Sequence, residues 1–99
     1  MRLSEPHRRE ILRVIAECCG PDARVRLFGS RLDDSRRGGD VDLLVEIPYD
    51  PEDLYALQRM LSVKLLRALD GRPVDVLIVG PHTPRHSAHE EALREGELL

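Results

Sequence analysis

Ninety-nine residues, 41% of them apolar, suffice for one hydrophobic core, so residues 1–99 read as a single domain without room for a separate substrate domain. A net charge of −3 argues against stable nucleic-acid binding, and no run approaches the roughly eighteen apolar residues of a membrane span. The charge is uneven, with nine arginines against six acids in residues 1–37 and six basic residues against twelve acids in residues 38–99, and the basic half contains the Gly29-Ser30 turn.

In chain order, Ser4-Glu5-Pro6 is a helix start, after which Ile11, Ile15 and Cys18 or Cys19 recur on one face until Gly20-Pro21. Adjacent cysteines diverge and do not easily form a normal disulfide, which points to small core residues in a reducing compartment. With Glu5 and Glu10 among basic residues and no long apolar run, the start of the chain does not resemble a signal peptide; the expectation is a soluble, cytoplasmic protein.

Residues 24–28 alternate as a half-buried strand and lead into Gly29-Ser30. Residues 31–39 read as a polar loop before a second strand, Asp40 to Ile47, which places Val41, Leu43 and Val45 on one face and Asp40, Asp42, Leu44 and Glu46 on the other. Asp50-Pro51 is expected to cap a long helix carrying Leu54, Leu57, Leu61, Leu65 and Leu69, stopped by Gly71, that covers the apolar side of a sheet. The run Val74 to Val79 reads as a buried central strand interrupted by Asp75. Thr83-Pro84 is expected to start a last helix ending near Gly96, with Leu98-Leu99 as an apolar tail.

The carboxylates carry the chemistry. Asp40 and Asp42, two residues apart on a strand, have Cα atoms roughly 6.5–7 Å apart on one face, and their repulsion calls for a cation such as Mg²⁺, with Mn²⁺ as a substitute. Asp75 within an apolar strand is expensive to bury alone, by several kcal/mol on an order-of-magnitude basis, unless it joins the same site; the plainer alternative is that it faces water on an edge strand. Three carboxylates can hold two metals about 3.5–4 Å apart, as in-line phosphoryl transfer needs. Gly29 and Ser30 supply backbone approach and hydroxyl and amide donors for phosphate.

The joint order Phe28-Gly29-Ser30, Asp40-Val41-Asp42-Leu43 and Val74-Asp75-Val76 resembles the DNA polymerase β-like nucleotidyltransferase superfamily, and within it the minimal nucleotidyltransferases, over roughly residues 10–80. The resemblance implies an α+β fold, a small mixed sheet with helices against it. It implies that Asp40 and Asp42 bind both metals, that Asp75 binds the catalytic metal and helps activate the nucleophile, and that Gly29 and Ser30 hold the triphosphate. Arg31, ahead of Arg36 and Arg37, is the favoured additional phosphate contact. Minimal nucleotidyltransferases of this kind are commonly partnered with a helical HEPN toxin and act as its antitoxin by transferring AMP from ATP to a tyrosine. The last helix and the apolar tail are the expected docking surface. A small-molecule or RNA-end acceptor, or a non-catalytic binding subunit, are the alternatives. His82, His86 and His89 cluster in sequence but read as a polar helix face rather than a metal site.

Overall fold

The computed structural model describes residues 3–29 and 41–99. Helix α1 (Glu5–Cys19) begins where the sequence predicts, with the Ser4 hydroxyl accepting a hydrogen bond from the His7 amide at 3.3 Å and Pro6 in the first turn, where its missing N–H is not needed. Its helical spacing buries Ile11, Val14, Ile15 and Cys19, and Gly20, with φ of 96°, ends it. Strand β1 (Arg24–Phe28) pairs antiparallel with β2 (Val41–Glu46), setting Val25 opposite Val45 and Phe28 opposite Asp42. Helix α2 (Leu54–Ala68) then crosses over, so that β3 (Val74–Val79) lies parallel to β2. Helix α3 (Ser87–Glu95) leads into β4 (Glu97–Leu98), which pairs antiparallel with β1 and completes the order β3-β2-β1-β4. The expected α+β fold with a mixed sheet is the fold observed.

Helices cover both faces of this sheet. On one, Ile11 and Ile15 of α1 and Leu61, Leu65 and Leu69 along and just after α2 pack with Val25, Leu27, Val41, Leu43, Val45, Val76 and Ile78. On the other, Ala92 and Leu93 of α3 pack with Phe28, Leu44, Leu77 and Val79. Burial on two faces explains the apolar run of β3, which is an edge strand and not the expected central one. A strand sandwiched between helices needs apolar residues at both parities whether or not it has two neighbours.

Both later helices start further on than expected. Asp53, not Asp50-Pro51, caps α2 by accepting from the Ala56 amide at 3.0 Å. Asp50 instead accepts from the His82 amide at 3.0 Å and lies 2.5 Å from that ring's Nδ1, tying the segment before α2 to the one after β3. Thr83-Pro84 does not open α3 either: the Thr83 hydroxyl accepts from the Gly80 amide at 2.9 Å, and His86 is the residue before the helix. Residues that cap helices also close turns through the same side-chain hydrogen bonds, so Asp50 and Thr83 carry the same local signal as a cap.

The tail is no loose apolar end. Leu98 pairs with Arg26, the Leu99 amide donates to the Val25 carbonyl at 2.8 Å, and the Arg8 guanidinium donates to the Leu99 carbonyl oxygen at 2.8 Å. Gly96 permits this closure, because a Cβ there would lie 2.4 Å from the Ala92 carbonyl oxygen. Cys18 and Cys19 are free; burial pushes the Cys19 thiol up to about 11, so it stays protonated, and its carbonyl accepts from the Tyr49 hydroxyl at 3.1 Å. Among the described residues no helix is long and apolar enough to cross a membrane.

Candidate active site

Asp42 is the second residue of β2 and Asp75 the second of β3, and the parallel register sets them directly opposite one another. Both side chains therefore leave the same face of the sheet from backbones about 4.8 Å apart. That is the face α3 covers further along. Down β3, exposure falls from exposed Asp75 through half-buried Leu77 to buried Val79, and on β2 it falls from half-buried Asp42 to fully buried Leu44. The carboxylates thus stand beyond the apolar patch under α3, at the end of the sheet where β2 and β3 begin and β1 finishes.

Gly29 sets the position of Asp42. The chain leaves β1 opposite Asp42 and turns at Gly29 with φ of 76°, a conformation that costs an L-residue roughly 1–2 kcal/mol. A Cβ at Gly29 would lie 2.4 Å from Asp42 Oδ2 and 3.1 Å from its carboxylate carbon. Glycine is required twice here, once for the turn and once for the space the carboxylate fills.

Asp75 corrects the sequence reading. Its carboxylate is exposed because β3 is the edge strand, so the burial penalty expected of it does not arise. What the structure shows instead is the juxtaposition of Asp75 with Asp42, two carboxylates at strand spacing that a divalent cation could bridge. An oxygen-only donor pair at an accessible strand end suits a hard divalent cation, and the room that Gly29 leaves beside Asp42 lets its carboxylate sit there unobstructed. Asp40, Ser30 and Arg31, like Arg36 and Arg37, lie outside the described residues. Among the described residues no three His, Cys, Asp or Glu side chains converge as a metal site.

The histidines have other duties. His82 is engaged with Asp50, whose carboxyl it holds below the ordinary range through hydrogen bonds from its side chain and its backbone amide. His89 is 4% exposed rather than on a polar face, and its Nδ1 accepts from the His86 amide at 3.0 Å while the two rings lie 5.1 Å apart. Burial, with the nearby charges of His86 and Arg85, pushes His89 below its ordinary 6.5 against a hydrogen bond to the Ile78 backbone. The neutral ring joins the start of α3 to β3. The sequence reading also missed Arg26 and Glu46, paired at 2.7 Å on the same face as Asp42. Strand alternation puts each on that face, but only the strand register shows that they meet.

The chain matches the family model of the nucleotidyltransferase domain over residues 8–98. It belongs to that family. The nucleotidyltransferase domain accordingly runs from α1 to the tail strand β4, and the reaction class it carries is transfer of a nucleotidyl group, for which the superfamily generally uses a divalent metal and a nucleoside triphosphate. Among curated proteins no relative matches the chain.

Proposed function

We propose that this nucleotidyltransferase transfers AMP from ATP to a tyrosine hydroxyl of a HEPN-type helical toxin, with which it forms a hetero-oligomer as the antitoxin. The observation that carries the catalytic part is the register of Asp42 with Asp75 beside Gly29. Asp40, Asp42 and Asp75 would hold two Mg²⁺ ions, with Mn²⁺ as a substitute, and the bound metal would supply charge neutralisation at the triphosphate and acidify the attacking hydroxyl. Gly29, Ser30 and Arg31 hold the triphosphate. The two described carboxylates divide the work by exposure: Asp42, half-buried against Gly29, is held in place, whereas Asp75 on the open edge strand is within reach of a hydroxyl on another macromolecule. The acceptor oxygen bonds to the α-phosphorus, its proton passes to Asp75, the bond to the bridging oxygen breaks, and pyrophosphate leaves. The acceptor's identity rests on the resemblance to minimal nucleotidyltransferases. The reading also takes residues 1–99 as one domain and places the protein in the cytoplasm, which suits two free cysteines.

The test mixes the protein, Mg²⁺, α-labelled ATP and a co-expressed HEPN-type partner, and follows label on protein, RNA and small molecules. Label on a partner tyrosine that is lost with Asp42→Asn is the expected result. Label on RNA or a small molecule would replace the acceptor and keep the site. Neutralisation of the partner without label, and unchanged by Asp42→Asn, would replace catalysis with binding.

A further inference from the structure

Of the six large apolar side chains exposed among the described residues, four sit on α2: Tyr55, Met60, Val63 and Leu66. At about 100° per residue these four fall with Arg59 and Arg67 inside an arc of roughly 140°, opposite the buried Leu61 and Leu65. The helix therefore has a second apolar stripe that the core does not use.

Its charges are equally unmatched. Between Leu54 and Ala68 the helix holds Arg59, Lys64 and Arg67 and no acidic residue, within a chain of net charge −3. On α1, by contrast, Arg13 bonds both Glu10 and Glu17, and Arg8 bonds Glu5. Among the described residues no carboxylate pairs with any of the three α2 cations. One helix neutralises itself and the other does not.

We infer that the outer face of α2 binds an acidic amphipathic helix of a partner protein, whose apolar stripe meets Tyr55, Val63 and Leu66 and whose carboxylates oppose Arg59 and Arg67. A second copy is a poor occupant, because a two-fold pairing of α2 on α2 would set the three cations against the same three. A membrane is a poor one too: Arg59 and Arg67 lie within the apolar arc and not at its flanks, so the stripe could not enter acyl chains without burying guanidinium groups. The inference stands on the fold and is independent of the reaction the carboxylates perform.

Fluorescence anisotropy of the full chain with three labelled fifteen-residue peptides, matched in length to α2, tests it. One is an acidic amphipathic helix, one has the same apolar stripe with lysine in place of glutamate, and one has the acidic composition with the stripe scrambled. The acidic amphipathic peptide is expected to bind at least tenfold more tightly than either control and to weaken with added salt. Arg59→Glu with Arg67→Glu should transfer the preference to the basic peptide, and Val63→Asp should weaken binding about tenfold, while Arg94→Glu on α3 leaves it unchanged. Circular dichroism melts on each variant establish that these surface positions leave the fold intact. Equal binding of acidic and basic peptides, or binding indifferent to the charge reversal, would overturn the proposal. So would the absence of binding, tighter association with vesicles containing phosphatidylserine, or self-association of the wild-type chain abolished by Val63→Asp.

Discussion

Leu43 and Leu44 are neighbours on β2 and both are fully buried, yet they belong to opposite sides of the molecule. Leu43 lies between Val41 and Val45 on a face that α1 and α2 cover along its whole length. Leu44 lies between half-buried Asp42 and Glu46, on a face where α3 shelters only a small apolar patch. The difference shows how a small domain tolerates a cluster of like charges. One continuous apolar face holds most of the buried apolar side chains, which leaves the end of the other face available for carboxylates.

The largest effect expected from this contrast is catalytic. Asp42→Asn should lower nucleotidyl transfer on the order of 10³-fold, as loss of a preorganised electrostatic group does, while thermal melts show the domain still folded. Retained transfer in this variant would remove Asp42 from the site. One residue on, Leu43→Ala should reverse the pattern, costing about 3 kcal/mol in a denaturant titration while the folded fraction keeps its activity.

Gly29→Ala joins the two effects. Left-handed backbone strain and the clash with Asp42 Oδ2 should together cost about 2 kcal/mol and also depress transfer; a variant with normal activity would show that Asp42 does not depend on this contact. A smaller effect belongs to the α3 face. Because burial lowers the pKa of His89 in the folded state, the unfolded chain takes up the proton first on acidification. The stabilisation is complete above 6.5, is lost as the pH falls from there through the lowered folded value, and is constant below it. Thermal melts across this range should show the decline in the wild type and a flatter profile in His89→Gln. Least of all, Glu46→Gln should cost under about 1 kcal/mol, since the Arg26 bridge it weakens remains partly in water, with the two side chains 23% and 28% exposed.

Much of this arrangement is legible from residue order. The bounds of β1 and β3, the cap at Ser4 and the two faces of β2 follow from alternation and from side chains that bond their own neighbouring backbone. Asp42 and Asp75 were already candidates because paired and isolated carboxylates in strand patterns need an explanation. For Asp75 the structure favours the plainer of the two readings, a carboxylate facing water on an edge strand. A six-residue run apolar but for Asp75 looks the same in a central strand and in an edge strand covered on both faces, and only the topology distinguishes them. The 32-residue separation of Asp50 from His82 left no local trace of their contact, so Asp50 looked like a cap.

Local chemistry, which acts over a few residues, marks Gly29, Asp42 and Asp75 as candidates and delimits the strands that carry them, while the reaction class follows from the family their joint order resembles and the chain matches. Tertiary structure decided which residues stand opposite which. The crossover through α2 brings β3 alongside β2 in the register that places residue 42 against 75, and the return of the chain after α3 turns an apolar tail into a strand on β1. Strand pairing is a contact between distant segments, chosen by how both faces of the sheet pack at once, and no short stretch of sequence contains that information.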